Sequence, residues 1–195
     1  MVRKAGINRT TKETRIDIQL DIDGQGNHQI ATGVPYFDHM LAQIAQHGLF
    51  DLQIEGRGDL EIDYHHTVED VGIALGQAFQ QALGNKEGIE RFGQATVPLN
   101  EALISLVLDI SGRHFLAFNV PGLQGKIGNF DAELIREFFQ GFVSTSGITL
   151  HINLQYGNNL HHMAEAIFKA FAWALRQAVT INQRIKGVPS TKGEL

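Results

Sequence analysis

Residues 14–23 (TRIDIQLDID) place Ile16, Ile18, Leu20 and Ile22 at every second position, with polar residues between. That period of two predicts a strand with one buried and one wet face. Asp23-Gly24-Gln25-Gly26-Asn27 follows as a turn. Over residues 35–46 the period lengthens. Phe37, Met40, Leu41, Ile44 and Ala45 fall on one helical stripe, Pro35 opens it and Gly48 stops it. Residues 49–55 and 59–62 read as short strands around Gly56-Arg57-Gly58. A second helix spans about 66–83, with Val68, Val71, Leu75, Ala78, Phe79 and Ala82 on its apolar face.

The order then recurs. Residues 103–110 and 114–120 read as strands joined across Ser111-Gly112-Arg113, 132–142 as a helix, 148–156 as a strand and 163–179 as a long helix. His65-His66 with Glu69 opens a helix in the first half, and His161-His162 with Glu165 opens one in the second; 161 − 65 = 96. Gly48 and Gly147, each just ahead of a strand, lie 147 − 48 = 99 apart. Two half-repeats are expected, 1–90 and 91–195, the second ending in a C-terminal tail. Each is a β-β-α-β-α unit, and the two form one compact body. The expected class is α+β: an internal duplication of two small mixed sheets, each with helices on one face.

Composition narrows the function. A chain of 195 residues, 43% hydrophobic, buries a core without staples. With no cysteine, disulfides, thiolate metal sites and cysteine nucleophiles are excluded. A net charge of −5 gives no support for nucleic acid as the partner. No apolar run approaches the roughly 18 residues of a membrane span, and the first residues carry no apolar signal-peptide core. A cytoplasmic protein with neither a membrane nor a nucleic-acid partner is expected.

The nine histidines matter because of where they fall. Residues three and four apart on a helix share a face. Glu69 is therefore expected beside both His65 and His66, and Glu165 beside both His161 and His162. Adjacent side chains point about 100° apart, which suits two neighbouring ions better than one. His39, early in a helix, and His151, on a strand, extend the set. Six histidines and two glutamates divide into three histidines and one glutamate per ion, leaving two positions of a six-coordinate ion open to substrate. Manganese, iron and zinc all accept such ligands. The competing reading is carboxylates at helix N-termini with solvated histidines. Two further classes stay open. A non-catalytic metal-linked cage protein would close its sites with protein ligands and need no anion pocket. A dinuclear metallohydrolase of a small phosphate ester would bring an Asp-rich, bridging ligand set.

Phe37-Asp38-His39-Met40-Leu41, His65-His66-Thr67-Val68-Glu69-Asp70, Arg91-Phe92-Gly93, Asp109-Ile110-Ser111-Gly112-Arg113, Leu160-His161-His162 with Glu165, Phe168-Lys169-Ala170-Phe171 and Pro189-Ser190-Thr191-Lys192-Gly193 together resemble the imidazoleglycerol-phosphate dehydratase family of histidine biosynthesis. The resemblance runs from about Arg9 to the C-terminus. It implies two Mn²⁺ ions per active site and a homo-oligomer, a 24-mer built from trimers that share their active sites. The implied substrate is a small phosphate, D-erythro-imidazoleglycerol phosphate, which loses water to give imidazoleacetol phosphate. The carbon that must lose a proton has no neighbouring carbonyl. A metal-bound imidazolate ring solves this, because its electrons expel the adjacent hydroxyl and so acidify the next C–H. The resemblance further implies metal ligands His39, His65, His66, Glu69, His151, His161, His162 and Glu165. Glu13, His47 and Glu165 become the catalytic candidates, and His39, His65, Glu69 and His161 also face substrate. Arg91, Arg113, Lys169, Ser190 and Lys192 form the implied phosphate cluster. Tyr64, His114 and Thr191 depart from the family's common residues, and none of these changes removes a ligand.

Overall fold

The computed structural model describes residues 2–195. Its first half runs β1 (Lys4–Thr10), β2 (Thr14–Asp21), β3 (His28–Ala31), α1 (Pro35–Gly48), β4 (Asp51–Gly58) and α2 (His65–Leu83). The second runs β5 (Phe92–Leu99), β6 (Ala102–Asp109), β7 (Phe115–Asn119), a small hairpin of β8 (Lys126–Ile127) and β9 (Phe130–Asp131), α3 (Leu134–Ser146), β10 (Thr149–Tyr156) and α4 (Leu160–Val179). The sheets have matching orders, β1-β2-β4-β3 and β5-β6-β10-β7. In each, the last-named strand joins in parallel and the others are antiparallel. A helix makes each parallel connection, as such a crossover requires. The architecture is α+β and the duplication is visible throughout.

The unit is β-β-β-α-β-α rather than the shorter one expected. The edge strands β1 and β5 escape a periodicity reading because their inward positions are weakly apolar: Ala5, Ile7 and Arg9 in one, Gly93, Ala95 and Val97 in the other. Residues 59–62, expected as a strand, form a turn closed by the Ile62 amide donating to the Asp59 carbonyl (2.9 Å), and Ile62 is exposed. Helix α3 continues past residue 142 to Ser146. The Ser144 and Thr145 hydroxyls donate back to carbonyls of the preceding turn and of Ile73, so these polar residues fit a helix end.

The repeat has three registers. Lys4 pairs with Asp21 and Phe92 with Asp109, so the first hairpins correspond at 92 − 4 = 88. The β8–β9 insertion then lengthens the second half. Buried Phe37, Met40, Leu41 and Ile44 of α1 correspond to buried Ile135, Phe138, Phe139 and Phe142 of α3, at 135 − 37 = 98. Every buried residue of α2 has a buried counterpart in α4 at 163 − 67 = 96.

Helices lie on the inner face of each sheet: α2 on β1 and β2, α4 on β5 and β6. Between the halves they pair crosswise, α1 with α4 and α2 with α3. Exchanging the halves exchanges these pairs, as a pseudo-two-fold demands. Phe79, Phe138, Phe139, Phe142, Phe168 and Phe171 are fully buried through the middle; Phe79–Phe142, Phe138–Phe139, Phe139–Phe171 and Phe142–Phe171 meet edge to face, while Phe168 stacks on Phe138. Each contributes roughly 1.5–3 kcal/mol of burial.

Candidate active site

Both His-His pairs sit in the first turn of a helix. Asn159 caps α4, its side-chain oxygen accepting from the His161 and His162 amides. Asp63 accepts from the His65 amide (2.7 Å) at the start of α2. The two pairs are near copies. Ring centroids are 6.2 Å apart in each, with interplanar angles of 83° and 88°. In each pair only the first histidine meets its helix glutamate: His65 Nε2 lies 3.6 Å from Glu69, and His161 Nε2 lies 3.0 Å from Glu165. The second histidine turns away, contrary to the expectation that each glutamate would neighbour both. His66 Nδ1 faces Asp59 (2.9 Å) and His162 Nδ1 faces Glu101 (2.6 Å). The near-perpendicular rings leave the second one for a carboxylate on another element.

The tightest convergence is at α1–α4. His39, His161 and Glu165 bring three ligand atoms within 4.8 Å of one another. Glu165 Oε2 is 3.0 Å from His161 Nε2 and 3.3 Å from His39 Nε2, while Oε1 accepts from Lys169 Nζ at 2.6 Å. Burial pushes the Glu165 carboxyl up, but the Lys169 ammonium, His161 and His39 together outweigh it and hold the group down at about 2. His47, two turns further along α1, is held below the ordinary histidine value by burial and then by the Lys169 charge, with Glu165 opposing. Tyr36 packs its ring edge-on to His161 at 5.6 Å. Its hydroxyl is buried without a partner among the described residues, and burial followed by the Glu165 charge holds the phenol well above its usual range.

Other candidates fall elsewhere. Glu13 is exposed in the β1–β2 turn, with no side-chain hydrogen bond or ion pair among the described residues. Its charge is felt at His66, which is held above the ordinary value first by the Asp59 hydrogen bond and further by Asp59, Glu13 and Asp63. His151 lies on the outer face of its sheet, between fully buried Leu150 and Ile152, 5.8 Å from the Phe115 ring. The sheet separates it from the helices that carry the other ligands.

The cation cluster gathers at the C-terminal tail. Each Arg91 nitrogen makes one bond: Nε and Nη2 donate to Asp109 (2.7 and 3.0 Å) and Nη1 to the Pro189 carbonyl (2.9 Å). Lys86 Nζ donates to the Leu195 carbonyl, and a Cβ on Gly112 would meet Leu195 at 2.6 Å. The tail bearing Ser190 and Lys192 thus lies against the turn that carries exposed Arg113. Lys169 is separate from this group, tied to Glu165.

Asp59, Glu101 and Tyr36 are site residues that the sequence reading passed over. The signal for Glu101 was present: it stands 101 − 13 = 88 residues beyond Glu13, the spacing of the first hairpins. Asp59 had none, since a loop rather than a helical spacing brings it to His66.

Residues 32–175 match the family model described as imidazoleglycerol-phosphate dehydratase. The imidazoleglycerol-phosphate dehydratases of Geobacter metallireducens and Citrifermentans bemidjiense are 57% and 58% identical over 195 residues, covering all of both chains. The crystal structure of the Staphylococcus aureus enzyme superposes with a TM-score of 0.84 at 39% identity, covering 92% of this chain and 99% of that one. That of the Pyrococcus furiosus enzyme, in complex with (S)-C348, gives 0.83 at 35% identity and covers 97% and 100%. Fold and relatives define the class, a hydro-lyase built on a duplicated α+β frame. The chain belongs to the imidazoleglycerol-phosphate dehydratase family. Among the described residues, no helix is long and apolar enough to cross a membrane.

Proposed function

We propose that this chain dehydrates D-erythro-imidazoleglycerol phosphate to imidazoleacetol phosphate in the cytoplasm, using two divalent ions per site, preferentially Mn²⁺. The observation that carries this reading is the meeting of His39, His161 and Glu165 from two helices. Two ring nitrogens and a carboxylate oxygen fit Mn²⁺, Fe²⁺ or Zn²⁺. Lys169 occupies the other Glu165 oxygen, so the donor atom facing the rings is fixed. His65 with Glu69 repeats the arrangement on α2 and supports a second ion. An ion held in such a set supplies Lewis acidity that lowers the ring N–H pKa of an azole brought to it.

The chain's own groups do the rest. His47, depressed below its ordinary value, is neutral at pH 7 and able to take a proton. Glu13 has no competing side-chain partner among the described residues. Between them they can accept the proton leaving carbon and return one to the departing hydroxyl, so that water is the sum of what is lost. Arg113, Ser190 and Lys192 offer donors to the phosphate dianion, while Arg91 anchors the tail that presents two of them.

His151 is a sheet's thickness away from the helix ligands, with exposed Val107 and Phe115 around it. This supports a homo-oligomer, a 24-mer of trimers, in which His151 of one copy completes the ligand set of another. Stripping metal is expected to dissociate the shell into smaller particles, followed by sedimentation, and Mn²⁺ to rebuild it.

Complementation of a histidine auxotroph lacking the dehydratase tests the whole reading. Growth, and turnover by purified protein that chelation abolishes and Mn²⁺ restores, is the expected result. Well-expressed, metal-loaded protein that neither complements nor turns over the substrate would overturn it. Arg113→Ala and Lys192→Ala should each weaken phosphate binding by roughly 1.5–3 kcal/mol while leaving metal content intact.

A further inference from the structure

The duplication pairs two glutamates that the site treats differently. Thr10 pairs with Arg15 across the first hairpin and Pro98 with Leu103 across the second, an offset of 98 − 10 = 88. At that offset Glu13 and Glu101 are the same position, each the second residue of a two-residue hairpin turn. Each turn also sits near the second histidine of a His-His pair, Glu13 near His66 and Glu101 near His162.

Their bonding differs. Glu101 Oε1 accepts the backbone amides of Asn158 (3.3 Å) and Asn159 (2.8 Å), the loop that enters α4. Its Oε2 accepts from His162 Nδ1 at 2.6 Å. A carboxylate only accepts, so Nδ1 carries a proton, and in the neutral ring Nε2 then carries the lone pair. The opposite edge of the ring agrees: the Asn100 amide nitrogen donates toward His162 Nε2 at 3.3 Å. Two contacts on opposite sides thus select one tautomer. In the first half Asp59, not the hairpin turn, holds His66 Nδ1, through Oδ2 at 2.9 Å and Oδ1 at 3.2 Å. Glu13 is thereby left without a side-chain partner among the described residues.

We propose that Glu101 is a positioning residue that fixes His162 as its Nδ1–H tautomer and so presents the Nε2 lone pair for a divalent ion, Asp59 doing the same for His66. The duplicated hairpin glutamate has then split its roles: one copy became a histidine holder, and the other was released for proton transfer because Asp59 took over its histidine. A ligating imidazole whose far N–H is held by a carboxylate is oriented and made more basic, and loss of such a partner typically costs 10–100-fold in metal affinity. The inference rests on the metal-dependent reading above for its consequence, although not for the tautomer itself.

Glu101→Gln separates holding the loop from holding the ring. The amide oxygen can still accept from Asn158 and Asn159, while the amide nitrogen, a donor, now faces His162 Nδ1. The ring should reverse, with its proton on Nε2. Solid-state ¹⁵N NMR of histidine-labelled, metal-free protein at about pH 8, with His162 assigned by difference against His162→Gln, reads the tautomer directly. Wild type should show Nδ1–H and Glu101→Gln should show Nε2–H. Mn²⁺ affinity, read by electron paramagnetic resonance of free Mn²⁺, should fall about 10–100-fold in the variant. Wild-type His162 in the Nε2–H form overturns the proposal even if Glu101→Gln fails to fold. So does a folded Glu101→Gln with wild-type tautomer and wild-type Mn²⁺ affinity. Wild type that shows Nδ1–H but binds no Mn²⁺ would instead sink the metal-dependent reading and leave the tautomer assignment standing.

Discussion

The two crosswise helix pairs are related by the duplication, yet one gathers His39, His161 and Glu165 between its helices and the other is shut. Three glycines close α2 against α3. A Cβ on Gly72 would come within 2.4 Å of the Phe138 carbonyl oxygen, one on Gly76 within 2.3 Å of the Phe142 carbonyl oxygen, and one on Gly141 within 2.7 Å of the Glu69 carbonyl oxygen. Backbone rests on backbone there. At the equivalent places of the α1–α4 pair stand Phe168, Ala172 and Gln43. The bulk of Phe168 and the side chain of Gln43 rule out so close an approach, and His39, His47, Glu165 and Lys169 line this second pair. At the His39 position of the closed pair stands Glu137, at 137 − 39 = 98, which bonds to its neighbour Arg136. Duplication supplied two equivalent crossings, and three missing side chains decided which became structural.

The largest expected effect comes from forcing the closed pair open. Gly76→Val places its Cβ against two oxygens, the Phe142 carbonyl and the Thr145 hydroxyl, and the carbonyl belongs to a helix that cannot yield. Overpacking costs about 1–3 kcal/mol even in adaptable cores, so a loss of at least about 3 kcal/mol, or failure to fold, should appear in urea denaturation. Gln43→Ala, in the open pair, should stay within about 0.5 kcal/mol of wild type. Equal losses in both would erase the distinction between the pairs.

Next in size is metal binding. Glu165→Ala removes the carboxylate shared by two histidines and a lysine, and Mn²⁺ affinity should fall on the order of 100-fold or more, a loss at or beyond the upper end seen for supporting groups. Glu137→Ala, at the place in the closed pair that His39 holds in the open one, should leave binding unaltered. Titration calorimetry on both variants makes the comparison.

A smaller effect is the acid limb of stability in metal-free protein. Glu165 is held at about 2 against an ordinary value of 4.5. Its folded form therefore binds fewer protons than its unfolded form between those values. The stabilisation is complete above about pH 4.5 and disappears as pH falls through about 2, with a size on the order of 2–3 kcal/mol. Denaturation at pH 6 and pH 3 should show this slope in wild type and a shallower one in Glu165→Gln.

Smallest is the contribution of His47. Its folded value is depressed, so its stabilisation is complete above the ordinary value of 6.5 and fades as pH drops toward the folded value. His47→Asn should flatten this pH dependence, while Thr145→Val, at the same place in the closed pair, should not alter the pH profile near 6.

Legibility followed the strength of the local pattern. The four helices and the central strands β2, β4, β6 and β10 carry full stripes of buried Ile, Leu and Phe, and the repeated His-His-x-x-Glu marked both helix starts. Edge strands β1 and β5 were hidden because an edge buries less and so demands less of its residues. The pairing of Glu165 with His161 follows from helix spacing alone. Its meeting with His39, 126 residues away, depends on how two helices cross.

Composition, period and repeat spacing by themselves determined the α+β class, the duplication, the helix-start histidines and the absence of thiol chemistry. Those properties are local or additive along the chain, so they survive without coordinates. Only the tertiary structure decided that His66 and His162 turn to Asp59 and Glu101, that Arg91 holds the tail, that His151 faces out, and that one helix pair closes while its twin stays open. Each of these depends on distances between segments far apart in sequence. Such distances are set by the volume of side chains at the crossings, and a glycine in place of a phenylalanine changes them without disturbing the helical pattern on either side.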